Sequence, residues 1–441
     1  MIAGCVSGIN RVLYNTYIKF TDIGRDDIMD LNNTMIQKYA GLIVKSGVNI
    51  QKNQTLVIVS PIECAEFTRL VARIAYEEGA RDVVINWRDE QLSKIRFLLA
   101  PEEALEEFPE WNREFFLSYA RQGAAFLSIA ASDPELMKDV DPKRMAKDSK
   151  TRSTALKEYS ERIMSNRNAW CVASVPTLGW AKKVFPGLPE EESVDKLWNA
   201  ILLSVRADAA DPVAAWNLHK SNLARSTEFL NTNEFKYLIY KNSLGTDLKV
   251  ELPEKHMWLG GSEDTPEGQV FWPNMPTEEV FTLPKKTGVN GKVVSSMPLN
   301  LNGNLIENFS ISFKDGKIVD FTAESGYEVL KNLIDTDEGS HYLGEVALVP
   351  HDSPISNSGI LFYNSLYDEN ASCHLAIGKA YPCLKDAEKL SKSEFEERGV
   401  NDSLVHEDFM IGTADMEIIG VTSSGEEIPV FQAGNFAFKN S

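Results

Sequence analysis

The sequence predicts an α/β N-terminal domain with a mostly parallel sheet, followed by a β-rich α+β C-terminal domain. Three observations lead there. Short apolar runs alternate with helix-length amphipathic stretches through the first half, the pattern of βαβ units. Near residue 235 this gives way to alternating strands joined by turn residues. At 441 residues the chain is also too long for one ordinary core, so two domains are the default. The divisions read as residues 1–34, an N-terminal extension; 35–234, the α/β domain; and 235–441, the second domain.

Residues 1–20 (MIAGCVSGINRVLYNTYIKF) hold no continuous apolar core and no cleavage-site pattern, so a signal peptide is not predicted. The stretch reads as a loosely attached extension, or as sequence ahead of a start at Met29 or Met35. The run at 54–60 (QTLVIVS) is apolar and β-branched, as buried parallel strands are. Phe67, Leu70, Val71, Ile74 and Ala75 then recur at helical spacing, and Gly79 is placed to end that helix. Further strands are predicted at 82–87, 124–130 and 170–175. Helices are predicted over 143–168 and, as a pair, over 190–229. In the second half, 235–240 and 248–252 flank NSLGTD, 306–313 and 317–321 flank Asp315-Gly316, and 416–422 and 427–431 flank Ser424-Gly425. Only 326–333 and 384–398 look helical there.

A net charge of −19 argues against nucleic acid or an anionic membrane as partner, because both demand a basic patch. Five cysteines without a C-x-x-C pair support neither a zinc ribbon nor a disulfide framework, and suit a reducing, cytoplasmic setting. No run approaches membrane-spanning length. The first half lacks G-x-G-x-x-G and G-x-x-x-x-G-K-[ST], so a dinucleotide or nucleoside triphosphate has no residue support. H-E-x-x-H and G-x-S-x-G are absent too, which excludes the common zincin and serine-hydrolase patterns.

Four of the six histidines fall between residues 341 and 406, and two of these stand in an acidic and aromatic setting. Glu345 lies among Leu343, Val346 and Leu348, where an ionised carboxylate is costly unless paired or bound to a cation. His374 begins at a loop junction, with Asp368 and Glu369 upstream either to orient it or to cap a turn. Tyr381 follows. His406 and Asp408 stand two apart, so an extended segment turns both to one face and Glu407 to the other. Carboxylate and imidazole donors of this kind make hydrolytic metal sites. A two-metal site needs more carboxylates. Glu278 and Glu279 in PTEEVFT supply candidates, of which an extended chain admits only one. His219, His256, His341 and His351 lack a partner at ligand spacing, and Cys373 reads as a small buried neighbour of His374.

The segments WPNMPTEEVFT, YLGEVALVPHDSPIS, ILFYNSLYDENASCHLAIG and VNDSLVHEDFMIGTADMEI resemble those of the aminopeptidase T, aminopeptidase S and PepS family of dinuclear metallo-aminopeptidases. KYAGLIVKSGVNIQKNQTLVI and AYEEGARDVVINW are similar to the family's first domain. The resemblance runs from about residue 35 to the C-terminus. It implies two divalent ions, zinc, cobalt, manganese or magnesium, held by Glu279, Glu345, His374, His406 and Asp408, with Glu345 bridging. It also implies that Tyr381 is the active-site tyrosine, that short peptides are the substrates and that the protein is a homodimer.

The chemistry expected from such a site is attack of activated water on the first peptide bond. Glu345 or Glu278 would relay a proton, and Tyr381 would donate a hydrogen bond to the oxyanion. A dipeptidase or another small-amide hydrolase would use the same residues. A structural metal site is disfavoured, because such sites are usually cysteine-rich and closed.

Overall fold

The β-branched run near residue 55 forms the strand Thr55–Pro61, buried along nearly its whole length. Both its edges are paired, with Asp82–Arg88 on one side and Ala125–Ala130 on the other, and both pairings are parallel. Trp170–Ser174 extends the sheet beyond Ala125–Ala130. The computed structural model describes residues 34–301 and 303–438. The expected extension therefore lies outside the described residues, apart from Thr34.

Helices cover this sheet as the periodicity predicts. Ala65–Glu77 turns Phe67, Leu70, Val71 and Ala75 into the core. The charged stretch before Trp170 forms two helices, Pro142–Ala155 and Lys157–Met164. Glu190–Ser204 and Pro212–Asn233 are the expected pair.

A fifth parallel strand, Asn274–Met275, pairs with Trp170–Ser174. It is two residues long and bracketed by Pro273 and Pro276, so it leaves no periodic signal in the sequence. Its consequence is local: the chain leaves the parallel sheet four residues before Glu279.

The second half is antiparallel. An eight-stranded sheet contains the three hairpins read from the sequence. Asp315 and Gly316 both adopt left-handed conformations (φ 49° and 81°), as a tight hairpin turn with the right twist requires. The expected helix over 384–398 is reduced to the turn Ala387–Lys389 and the helix Lys392–Glu397. Leu384 bridges to His256, Asp386 is left-handed, and a capping box at Ser391 and Glu394 starts the helix late.

A separate four-stranded antiparallel sheet has the order Val280–Thr282, Leu343–Leu348, His374–Gly378, His406–Met410. One face sends Leu375, Ile377 and Phe409 into the core, all fully buried. The other face carries the candidate site. Among the described residues no helix is long and apolar enough to cross a membrane.

Candidate metal centre

Cross-strand register assembles the site. Glu345 stands opposite Ala376, and Ala376 opposite Asp408, so the two carboxylates flank a small side chain on one face. His374 lies two residues before Ala376 on the same face, and His406 stands opposite Gly378. Gly378 is left-handed (φ 105°), and a Cβ there would sit 2.2 Å from the Val405 carbonyl oxygen, so no other residue fits beside His406. The alternation expected at 406–408 holds. Asp408 turns to the cavity shared with His406, while Glu407 lines a different one.

Glu345 lies between the two imidazoles. Its Oε1 is 3.7 Å from His374 Nε2, and its Oε2 is 3.6 Å from His406 Nε2. Glu279 Oε2 approaches His374 Nε2 at 3.1 Å, and Asp408 Oδ1 lies 3.6 Å from His406 Nε2. Both rings are oriented from behind. His374 Nδ1 is 3.0 Å from the Ser372 carbonyl, and His406 Nδ1 is 2.7 Å from the Lys379 carbonyl. With Nδ1–H donated to those oxygens, each ring directs its Nε2 at the cluster, where the neutral form would offer a lone pair to a cation.

The structure brings Glu279, rather than Glu278, to the cluster. Glu278 turns to Arg206, whose Nη2 donates to Oε2 at 2.9 Å. Tyr381 lines the cavity mouth, 40% exposed, with its ring edge-on to His406 at 5.2 Å between centroids.

The sequence left Glu369 open between orienting His374 and capping a turn. It lies partly buried in the same cavity wall, next to the charges of Asp408 and Glu279. Asp368 turns away and accepts hydrogen bonds from the Phe362 and Asn364 amides. The acidic pair was visible, but a short helical turn swings adjacent side chains apart, so only coordinates distinguish them. His219, His256, His341 and His351 do not line this cavity. Cys373 is buried, with its thiol donating to the Val349 carbonyl at 3.3 Å, and burial pushes its pKa up to about 11.

The electrostatics are those of an anionic pocket. Burial, then repulsion from Asp408 and Glu279, pushes Glu345 up to about 7. Burial also raises Glu369 and Asp408. For His374 burial opposes charging, but hydrogen bonds to Glu279 and Glu345 prevail and raise it well above the usual imidazole value. Among the described residues no Lys or Arg lines the cavity of about 410 Å³, and Asp408 Oδ1 is buried without a hydrogen-bond partner. Oxygen and imidazole donors that converge in this way fit divalent cations. Ligand atoms of Glu279, Glu345 and His374 all lie within 4.8 Å of one another.

The model of the thermophilic metalloprotease family M29 matches residues 32–436. This chain belongs to the M29 metalloprotease family. Its M29 relatives include aminopeptidase 2 of Geobacillus stearothermophilus, 53% identical over 92% of this chain and 98% of that protein. Aminopeptidase AmpS of Bacillus subtilis (strain 168) is 47% identical over 93% of this chain and all of its own length. Among solved structures, wild-type AmpT from Thermus thermophilus superposes with a TM-score of 0.86 at 40% identity, over 92% of this chain and 99% of that one. As an M29 metalloprotease the chain uses divalent metal.

Proposed function

We propose that this metallo-aminopeptidase releases N-terminal amino acids from short peptides at a two-metal centre held by Glu279, Glu345, His374, His406 and Asp408. The observation that supports it best is the position of Glu345, whose two oxygens face two different imidazoles. One carboxylate placed in this way suits a ligand shared by two ions. Glu279 and His374 lie on one side of it, and His406 and Asp408 on the other. Glu279, Glu345, Asp408 and Glu369, four carboxylates lining the cavity, balance two dications in charge.

Bound ions would supply Lewis acidity, polarising the scissile carbonyl and activating water near neutral pH. The chain's own groups do the rest. Ser372 and Lys379 hold the two imidazoles in register through their carbonyls. Arg206 holds Glu278 aside from the proton-relay role that the sequence offered to Glu345 or Glu278, which leaves Glu345, with Glu369 beside it in the cavity, to carry the proton. The Tyr381 hydroxyl, kept protonated by its partial burial and the surrounding carboxylates, donates to the oxyanion. The cavity's negative wall attracts the free α-amine that distinguishes an exopeptidase substrate.

The carboxylate-rich donor set accommodates zinc, cobalt, manganese or magnesium. The domains divide near residue 235, the protein resides in the cytoplasm, and it assembles as a homodimer, which sedimentation would test. The deciding experiment is hydrolysis of aminoacyl chromogenic substrates by metal-stripped protein, before and after each metal is returned. Cleavage restored by metal, and confined to substrates with a free amine, is the expected result. Cleavage of N-blocked substrates at equal rates would exclude an aminopeptidase.

A further inference from the structure

A second feature of the same cavity is not used by this chemistry. Glu263, in the short strand Glu263–Asp264, lines the cavity together with Met164, Trp170, Leu259 and Phe281. It is partly buried, and no cation faces it among the described residues: its polar neighbours are Asn166 and the like-charged Asp264. Burial accordingly raises its pKa. Two other glutamates withdrawn from solvent outside the metal cluster do have cationic partners: Glu278 has Arg206, and Glu251 has Lys285. A carboxylate left against an apolar wall is costly unless something positive comes to it.

The carboxylate is also oriented. Asn166 Nδ2 donates to its Oε2 at 3.0 Å, which leaves Oε1 for another donor. Asn166 is left-handed (φ 54°) because it closes the helix Lys157–Met164, and that capping turn fixes its position beside Glu263. The location follows from the chain. Gly260 packs so tightly on the metal-site segment that a Cβ there would lie 2.5 Å from the Glu279 carbonyl oxygen. Glu263 is three residues further on, a reach of at most about 10 Å. An extended Lys or Arg side chain on a peptide held at the metal cluster spans such a gap.

We propose that Glu263, oriented by Asn166, receives a cationic side chain of the bound peptide, and so favours substrates with Lys or Arg next to the scissile bond. This rests on the aminopeptidase reading. The contact is a charge-assisted hydrogen bond from an ammonium or guanidinium to Oε1, made in a cavity partly shielded from water. Aromatic and aliphatic walls around it would pack the methylene stem.

The test compares kcat/KM for metal-loaded wild type, Glu263→Gln and Glu263→Lys. Arm one uses aminoacyl nitroanilides of Lys, Arg, Leu and norleucine. Arm two uses dipeptides with Leu first and either Arg or Leu second. The ratio of basic to neutral substrate in one arm should fall about 10- to 100-fold in Glu263→Gln. Glu263→Lys should reverse the preference, so that the neutral substrate is favoured over the basic one. Inhibition by free arginine relative to leucine should weaken in the same variants, a binding readout independent of turnover. An unchanged ratio in both arms, or an equal loss on all substrates as expected for a contact to the α-amine, would overturn the proposal. Failure of the wild type to cleave the leucine substrate would overturn the aminopeptidase reading itself, and this proposal with it.

Discussion

Arg206 grips Glu278 with both terminal nitrogens: Nη1 lies 2.7 Å from Oε1, and Nη2 donates to Oε2 at 2.9 Å. The Glu278 side chain is only 4% exposed, and its backbone amide is fixed by Asn370 Oδ1 at 2.7 Å. His219, stacked near Trp272, closes the third side. With Glu278 pinned outward, its neighbour Glu279 is aimed at His374. Removing the guanidinium leaves a buried charge without a partner, at a cost of about 3–5 kcal/mol. Arg206→Ala is therefore predicted to lower the urea midpoint of the metal-stripped protein and to weaken zinc binding by calorimetry. Unchanged stability together with unchanged zinc affinity would show that the clamp does not position Glu279.

That clamp also shows where the sequence stops being informative. Local signals were legible: the β-branched strand at 55–61, the Asp315-Gly316 turn, and the two-residue spacing that puts His406 and Asp408 on one face. Each follows from backbone geometry over a few residues. The choice between Glu278 and Glu279 depends on an arginine 72 residues away, and sequence spacing does not report that contact. Glu369 and Asp368 are equally acidic, and only the turn through 365–371 separates their directions. The strand Asn274–Met275 exists because Trp170–Ser174 offers it a free edge, a tertiary cause with no local counterpart. The resemblance implied the ligand set as a unit, and strand register brings Glu345, His374, His406 and Asp408 together on one sheet, with Glu279 just ahead of its first strand.

Glu345 faces both imidazoles, so its replacement affects both halves of the centre at once. Glu345→Gln keeps the shape and removes the charge. Activity on a leucine chromogenic substrate is predicted to fall by about 10²–10⁴-fold or more, the range associated with loss of a directly participating group. Metal content by elemental analysis should fall in parallel, while the far-ultraviolet circular dichroism spectrum stays that of the wild type. Near-normal turnover would remove Glu345 from the centre.

Metal removal should make stability pH-dependent, with a definite sign. In the metal-free chain Glu345 is raised from 4.5 to about 7 by burial, and His374 is raised by its carboxylate partners despite burial. A raised value means that the folded state holds protons more tightly than the unfolded one. The associated stability is complete below the unfolded values and is lost as pH rises through the folded ones. The window opens near 4.5 and extends past 7. Metal ions displace those protons, so metal affinity rises with pH. The Tm difference between metal-loaded and metal-stripped protein is therefore predicted to widen from acidic to mildly alkaline pH. A difference that narrows over that window would contradict the assignment of these groups.

Tyr381 stands at the cavity mouth with its ring against His406 and Phe281. Burial and the four surrounding carboxylates raise its pKa, so the hydroxyl stays a donor throughout the neutral range. Tyr381→Phe preserves the ring contacts and deletes only that donor. A donor to a developing oxyanion acts mainly in the transition state, so kcat should fall by about 10²–10³-fold while KM changes little. Thermal stability and metal content should match the wild type, because no hydrogen bond within the fold is lost. A rise in KM at constant kcat would instead make Tyr381 a substrate-binding wall, and the oxyanion would need another donor.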